Sequence, residues 1–479
     1  MEQAGLPPGT MPEQRSPPVT RSGGWEFARV AALAILLLPF AYYAFVLATR
    51  LVPSHYPDTF AYIWRGKLNW HFLSGRSLTQ RLLFSLSNRS NPGIGAIQLV
   101  FLLGTELGLY GLLRSRRALP DLLLAGAIAF VFSSYSLNVC AAEICAEVVF
   151  VALMLLFPVV LMRSRRPLAV VGVGALYVFS KNSAPYCAML LVACAAALRH
   201  PRPVRIGRAW IAVCVLAVAS IAIMRSFDTS VQLNVVDNAC TRIFSRPEVA
   251  RLFHERYGMP VGPFVTACAA GNVTTPCFDG ESLLTTDTAA RNYVLREDRY
   301  GFVRWARSRG MRAYVSYLFF DDPLWTAREF SRAFEAHFAD GTVEFLVTYL
   351  DVFPSGPLRS NLARLAGGSA ARRRGFFGFD PLAAIRTGVG ALGFGSLLGL
   401  ASWVIAALAL HLHRRSDGVT LALVLLGNAL GQFFLGYFGA GMEWERHLAP
   451  AVIGYVLGAA VLVMAVVSRI VSEWMPRPG

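Results

Sequence analysis

Asp58, in Ser54-His55-Tyr56-Pro57-Asp58, is the sole acidic residue between Arg50 and Gly93, a stretch that also holds Arg50, Arg65, Lys67, Arg76, Arg81 and Arg89. Such a cationic setting keeps a carboxylate ionised, and an ionised carboxylate can take the proton of a nearby hydroxyl as a general base. Pro57-Asp58 ahead of Phe60-Ala-Tyr-Ile-Trp also reads as a helix cap, and the two roles are compatible. Three further groups of ionisable residues stand beside apolar runs. They are Glu143 with Glu147, Lys181 with Asn182, and Glu443, Glu445, Arg446 and His447. Glu143 and Glu147 are four apart, which puts them on one face if that stretch is helical. Ionisable groups at the ends of membrane spans are costly and face a cavity or one another. The expectation is one polar cleft lined by Asp58, His55 and these groups, with ordinary interface pairing as the plainer alternative. Glu106, inside an apolar run, is expected to pair with a neighbouring helix rather than with a ligand.

The elements that carry these residues are dictated by composition. The chain has 479 residues, of which 55% are hydrophobic and 15% charged, and its mean hydropathy is +0.48. Its apolar residues fall in long blocks such as Ala31–Leu47 and Ala449–Val467, close to the roughly 20 residues that cross a bilayer core. An all-α polytopic membrane protein follows, and disordered, collagen-like and water-soluble classes are excluded. Spans are expected at 28–49, 94–113, 119–139, 146–162, 209–226, 387–410, 419–437 and 448–468. A short broken hairpin is expected at 168–180 and 184–198, with Lys181 near its apex. Counting the hairpin gives about ten crossings.

The net charge of +16 is not a nucleic-acid signature. Between Phe227 and Ile385, 18 Arg face 17 Asp and Glu. The excess sits in short flanks such as Arg114–Arg117, Arg163–Arg166, Arg199–Arg208 and Arg414-Arg415. That is the pattern of cytoplasmic loops, and it puts both termini inside. Loop 50–93 breaks the rule and reads as anion-binding, with residues 58–86 as an interfacial helix pair and an anionic lipid phosphate as the local candidate. Lys67 and Lys181 are the only lysines beside 43 Arg, a bias that points to a GC-rich bacterial genome and an inner-membrane location.

The organisation expected is a disordered cytoplasmic tail at 1–24, a bundle at 25–226 containing loop 50–93, an extracytoplasmic domain at 227–385, and C-terminal helices at 386–479. In the domain, helical runs are expected at Pro247–Tyr257, Ala289–Leu318 and Pro323–His337. Asp321-Asp322-Pro323 is expected as a helix cap rather than a metal site. The stripe of Arg304, Arg307 and Arg312 beside Trp305 and Tyr314 reads as a solvated face, with a glycan or lipid headgroup as the other reading. The cysteines match no zinc spacing. In an oxidising compartment Cys268–Cys277 or Cys240–Cys277 could pair. No Walker loop, Gly-x-Gly-x-x-Gly after a strand, His-Glu-x-x-His or Gly-x-Ser-x-Gly occurs.

The acidic residue just beyond helix one, the juxtamembrane helices after it and the stretch Glu443-Trp-Glu-Arg446-His-Leu-Ala-Pro450 resemble the GT-C class of polytopic glycosyltransferases. The likeness is architectural, covering the first four helices and the last ones. Two departures stand out: Asp58 is single where paired acids are usual, and 227–385 resembles no accessory domain of the class. The resemblance implies a polyprenyl-phosphate-linked sugar as donor, a glycan or lipid acceptor from the cell envelope, and Asp58 as catalytic base. Lys181 and Arg446, with Arg65 and Arg76, would hold the donor phosphate. No cofactor is implied, and a divalent metal stays open. The rival class is a carrier, either a lipid-linked glycan flippase or a small-anion transporter, because a broken hairpin is what discontinuous transport helices look like. Against it, no matching broken segment or repeat between halves is present.

Overall fold

In the computed structural model the described residues are 23–49, 54–55, 77–87, 90–114, 118–133, 143–144, 147–198, 204–227, 242–243, 245–262, 265–266, 301–302, 304–339, 387–388, 390–413, 417–439 and 444–474. They are almost entirely helical. In chain order they form α1 (Gly23–Thr49), a two-residue β1 (Ser54–His55), α2 (Leu78–Leu86), α3 (Asn91–Leu113), α4 (Ala118–Phe132), a two-residue β2 (Glu143–Ile144) and α5 (Glu147–Arg163). Then follow α6 (Pro167–Val178), α7 (Ala184–Leu198), α8 (Val204–Phe227), α9 (Pro247–Tyr257), α10 (Met311–Ser316), α11 (Pro323–Ala339), α12 (Leu397–His413), α13 (Asp417–Gly439) and α14 (Trp444–Trp474).

Four helices among the described residues are long and apolar enough to cross a membrane: Pro92–Leu113, Val204–Met224, Asp417–Gly439 and Pro450–Val467. This marks a membrane protein, but four is not the expected count of about ten. Leu119–Phe132, Pro167–Val178, Ala184–Leu198 and Leu397–Leu412 are apolar but shorter. For three of them the shortness has local causes. The turn at Lys181 truncates α6 and α7, and α12 starts only at Leu397 because the backbone kinks at Gly393 (φ 89°). A side chain at Gly399 would collide with the Gly393 carbonyl, so this kink needs glycine at both positions. Ser396 then caps α12 by accepting a hydrogen bond from the Gly399 N–H at 3.1 Å.

The centre of the bundle is α5. Of its residues only Leu156 and Arg163 escape full burial, as suits a helix apolar all round. It packs against α3, α6, α13 and α14. Pro158 lies inside it, so the carbonyl four residues back, Met154, loses its helical donor. The Asn428 side-chain amide from α13 donates to that carbonyl at 2.9 Å. Asn428 Oδ1 accepts from the Tyr177 hydroxyl at 3.1 Å, and Gln432 donates to the same hydroxyl at 2.8 Å. Tyr177 stacks on Phe157 with ring centroids 5.1 Å apart. These contacts lock α5, α6 and α13 into one register.

The described part of 227–385 packs on the bundle. Phe330 and Phe334 of α11 meet Phe433 at 5.6 and 5.9 Å, and Phe334 meets Tyr455 of α14 at 5.3 Å. Asp322 caps α11 as expected, accepting from the Trp325 N–H at 3.0 Å. Gly258 (φ 65°) closes α9 in the left-handed region that glycine favours. The domain limits at 24 and 385 and most of loop 50–93 lie outside or at the edge of the described residues, and so do Cys268 and Cys277.

Candidate functional site

One end of the bundle gathers polar groups from four separate parts of the chain. The turn between α6 and α7 presents Lys181 and Asn182, both half-buried. Lys181 Nζ lies 3.9 Å from Glu147 Oε1 at the start of α5, and the Glu147 side chain is only 2% exposed. The same ammonium sits 4.9 Å from the centroid of the Phe150 ring, one helical turn further along. A carboxylate and a π face therefore share one cation.

The first loop reaches this end by two routes. Thr79 of α2 donates its hydroxyl to the Leu176 carbonyl at 2.7 Å and its N–H to the Phe179 carbonyl at 3.2 Å. Leu176 is in the last turn of α6 and Phe179 is its C-cap, where the final C=O groups have no helical donor. Thr79, Gln80 and Arg81 are buried by this docking. The second route is the parallel bridge of β1 with β2, which pairs Ser54 with Glu143 and His55 with Ile144. Loop one thus runs beside the segment that leads directly into Glu147.

The opposite end is set by different contacts. Arg163 at the end of α5 pairs with Asp417 at 3.5 Å, and Thr420 meets His411 at 3.1 Å. Glu147 and Arg163 are separated by a helix of 17 residues, about 25 Å long.

Of the residues singled out from the sequence, Glu147, Lys181 and Asn182 come together, and the backbones of His55 and Glu143 belong to the β1–β2 bridge, which ends three residues before Glu147. Glu143 is not on a helical face with Glu147. Its backbone belongs to the bridge with loop one, and α5 begins only at Glu147. Glu445, Arg446 and His447 form part of the first turn of α14. Asp58, Arg65, Arg76 and Glu443 lie outside the described residues. Glu106 departs from expectation: it is fully buried in α3, yet neither carboxyl oxygen has a hydrogen-bond partner among the described residues.

Sequence reading missed two contributors. Phe150 could have been found, because it follows Glu147 by three residues on the same helical face. The burial of Thr79 and Gln80 carried no local signal, since it depends on where α6 ends. Within α2, Leu82 and Leu86 are exposed, as a lipid-facing stripe requires, but Phe84 is fully buried in the core.

Among the described residues no three of His, Cys, Asp and Glu converge as metal ligands. Cys187, Cys194 and Cys214 are free thiols. Comparison with protein families, curated proteins and solved structures finds no match for the chain.

Proposed function

We propose that the chain is a membrane glycosyltransferase that moves a sugar from a polyprenyl-phosphate donor to an envelope glycan or lipid acceptor outside the cytoplasm. The observation that carries this reading is the approach of loop one to the Lys181–Glu147 pair. A carboxylate beside a hydroxyl acceptor and a cation beside a phosphate are what such a reaction needs at one membrane surface. The acceptor hydroxyl gives its proton to Asp58, and its oxygen forms a bond to the anomeric carbon. The bond from that carbon to the polyprenyl phosphate breaks, and the phosphate leaves with the electron pair. Lys181, with Arg446, Arg65 and Arg76, neutralises the charge that develops on the phosphate. A single displacement inverts the anomeric centre.

The accompanying topology puts both termini in the cytoplasm of a bacterial inner membrane. The contacts support it. Glu147, Lys181, Thr79 and the β1–β2 bridge all belong to the side assigned as outer, and Arg163, Asp417 and His411 to the side assigned as inner.

The test uses membranes holding wild-type chain or Asp58→Asn, matched for folded amount, supplied with labelled polyprenyl-phosphate sugars and an envelope extract. Wild type is expected to release polyprenyl phosphate and transfer label, and Asp58→Asn to lose at least about a hundredfold in rate, as removal of a general base does. Equal transfer by both removes Asp58 from the chemistry. The short α6–α7 hairpin favours a carrier as the second reading. Asp58-independent movement of labelled lipid or anion across vesicles, without transfer, would decide for it.

A further inference from the structure

The segment from Arg304 to Leu324, helical on either side of a break at Asp322, has two unlike parts. Arg304, Arg307, Arg309 and Arg312 are exposed, and no acidic residue occurs from 304 to 320. Beyond them Val315, Phe319, Phe320 and Leu324 are 42%, 53%, 78% and 60% exposed. The other side of the run is anchored. Tyr314, Tyr317 and Leu318 are buried, and Tyr317 packs on Phe253 at 5.4 Å. The apolar stripe is therefore held outward by a packed core on its back.

Its depth is fixed by one contact. Phe319 lies 5.6 Å from Phe434, which belongs to a membrane-spanning helix, five residues before its end at Gly439. At 1.5 Å per residue this is about 7–8 Å inside the end of the span. A side chain at that level, on the outside of the bundle, meets acyl chains rather than water.

We propose that residues 304–324 form an interfacial anchor that docks on anionic phospholipid. Phe319, Phe320 and Leu324 enter the acyl boundary, and the four arginines engage headgroup phosphates. An amphipathic segment with Arg on its polar part and Phe and Leu on its apolar part is built for that boundary. Residues 304–324 are then a surface laid on the leaflet, not a face turned to solvent. The anchor does not depend on the glycosyltransferase reading.

The experiment places benzoylphenylalanine at Phe320 of the full chain, in nanodiscs of phosphatidylethanolamine and phosphatidylglycerol. Exposed Glu255 of α9 is the comparison position, and mass spectrometry reads the crosslinked peptides after irradiation. A phospholipid adduct at 320 that is lost at 255 is expected. Adducts at 320 with polypeptide in place of lipid, or lipid adducts no more frequent than at 255, overturn the anchor. If the substitution at Phe320 impairs folding, the same label at Leu324 gives the same reading.

Discussion

Lys181 and Glu147 are more than a surface pair, because the carboxylate is almost completely enclosed. Removing one partner of a buried pair strands the other and destabilises by roughly 3–5 kcal/mol, whereas replacing both with apolar groups is often neutral. This separates structure from chemistry. Lys181→Met alone is expected to lower thermal stability by about 3 kcal/mol in detergent, as a lone buried carboxylate would. Lys181→Met with Glu147→Leu should recover most of that loss. Sugar transfer should stay absent in the double variant, because the phosphate still lacks its cation. A double variant with restored transfer would return Lys181 to a packing role.

Among the elements, α5 shows how a helix broken by proline is repaired from elsewhere. Asn428→Leu is expected to cost about 1–3 kcal/mol, because the Met154 carbonyl is then buried without a donor. Pro158→Ala restores a helical N–H to that carbonyl, so adding it to Asn428→Leu should recover part of the loss. Melting of wild type and the three variants as a double-mutant cycle measures the coupling, and additive effects would refute it. The elements themselves were largely legible. Apolar runs bounded by charge predicted 168–180 and 184–198, against α6 and α7 at 167–178 and 184–198. Pro247–Tyr257 was read to the residue, because proline starts that helix and glycine stops it. The Asn428–Met154 bond was not legible, since it joins positions 274 apart and no local pattern records which helices meet. Nor was the bridge at Glu143, where pairing with loop one overrides the four-residue spacing. Of the groups marked from the sequence, Glu147 and Lys181 meet, but no local pattern recorded that geometry.

At the scale of the whole molecule, a carboxylate adds to the aromatic packing that fastens α11 to the bundle. Glu329 accepts from the Tyr437 hydroxyl at 2.6 Å and from Arg332 at 2.7 and 3.1 Å. The Arg242 guanidinium lies 3.9 Å from the Tyr437 ring centroid. Burial alone would raise the Glu329 carboxyl, but the hydrogen bonds from Arg332 and Tyr437 and the nearby guanidinium charges outweigh it and hold it below its usual range. A carboxyl depressed by folding stabilises the folded chain above its unfolded value, and that stability is lost as pH falls through the folded value. Wild type should therefore lose melting temperature as pH drops below about 4.5 more steeply than Glu329→Gln, which should start lower at neutral pH. Parallel profiles for the two proteins would show that the fastening does not depend on this charge.

The proline in α5 also has a consequence in time. The Met154 carbonyl is made early, and its donor Asn428 emerges from the ribosome about 270 residues later, tens of seconds at the usual pace of about 5–20 residues per second. Through that interval the bundle is partly assembled, with an open seam along α5 where α13 and α14 will close. Truncation before α13 should accordingly leave a nascent chain that insertion chaperones hold and membrane proteases recognise, rather than a smaller stable bundle.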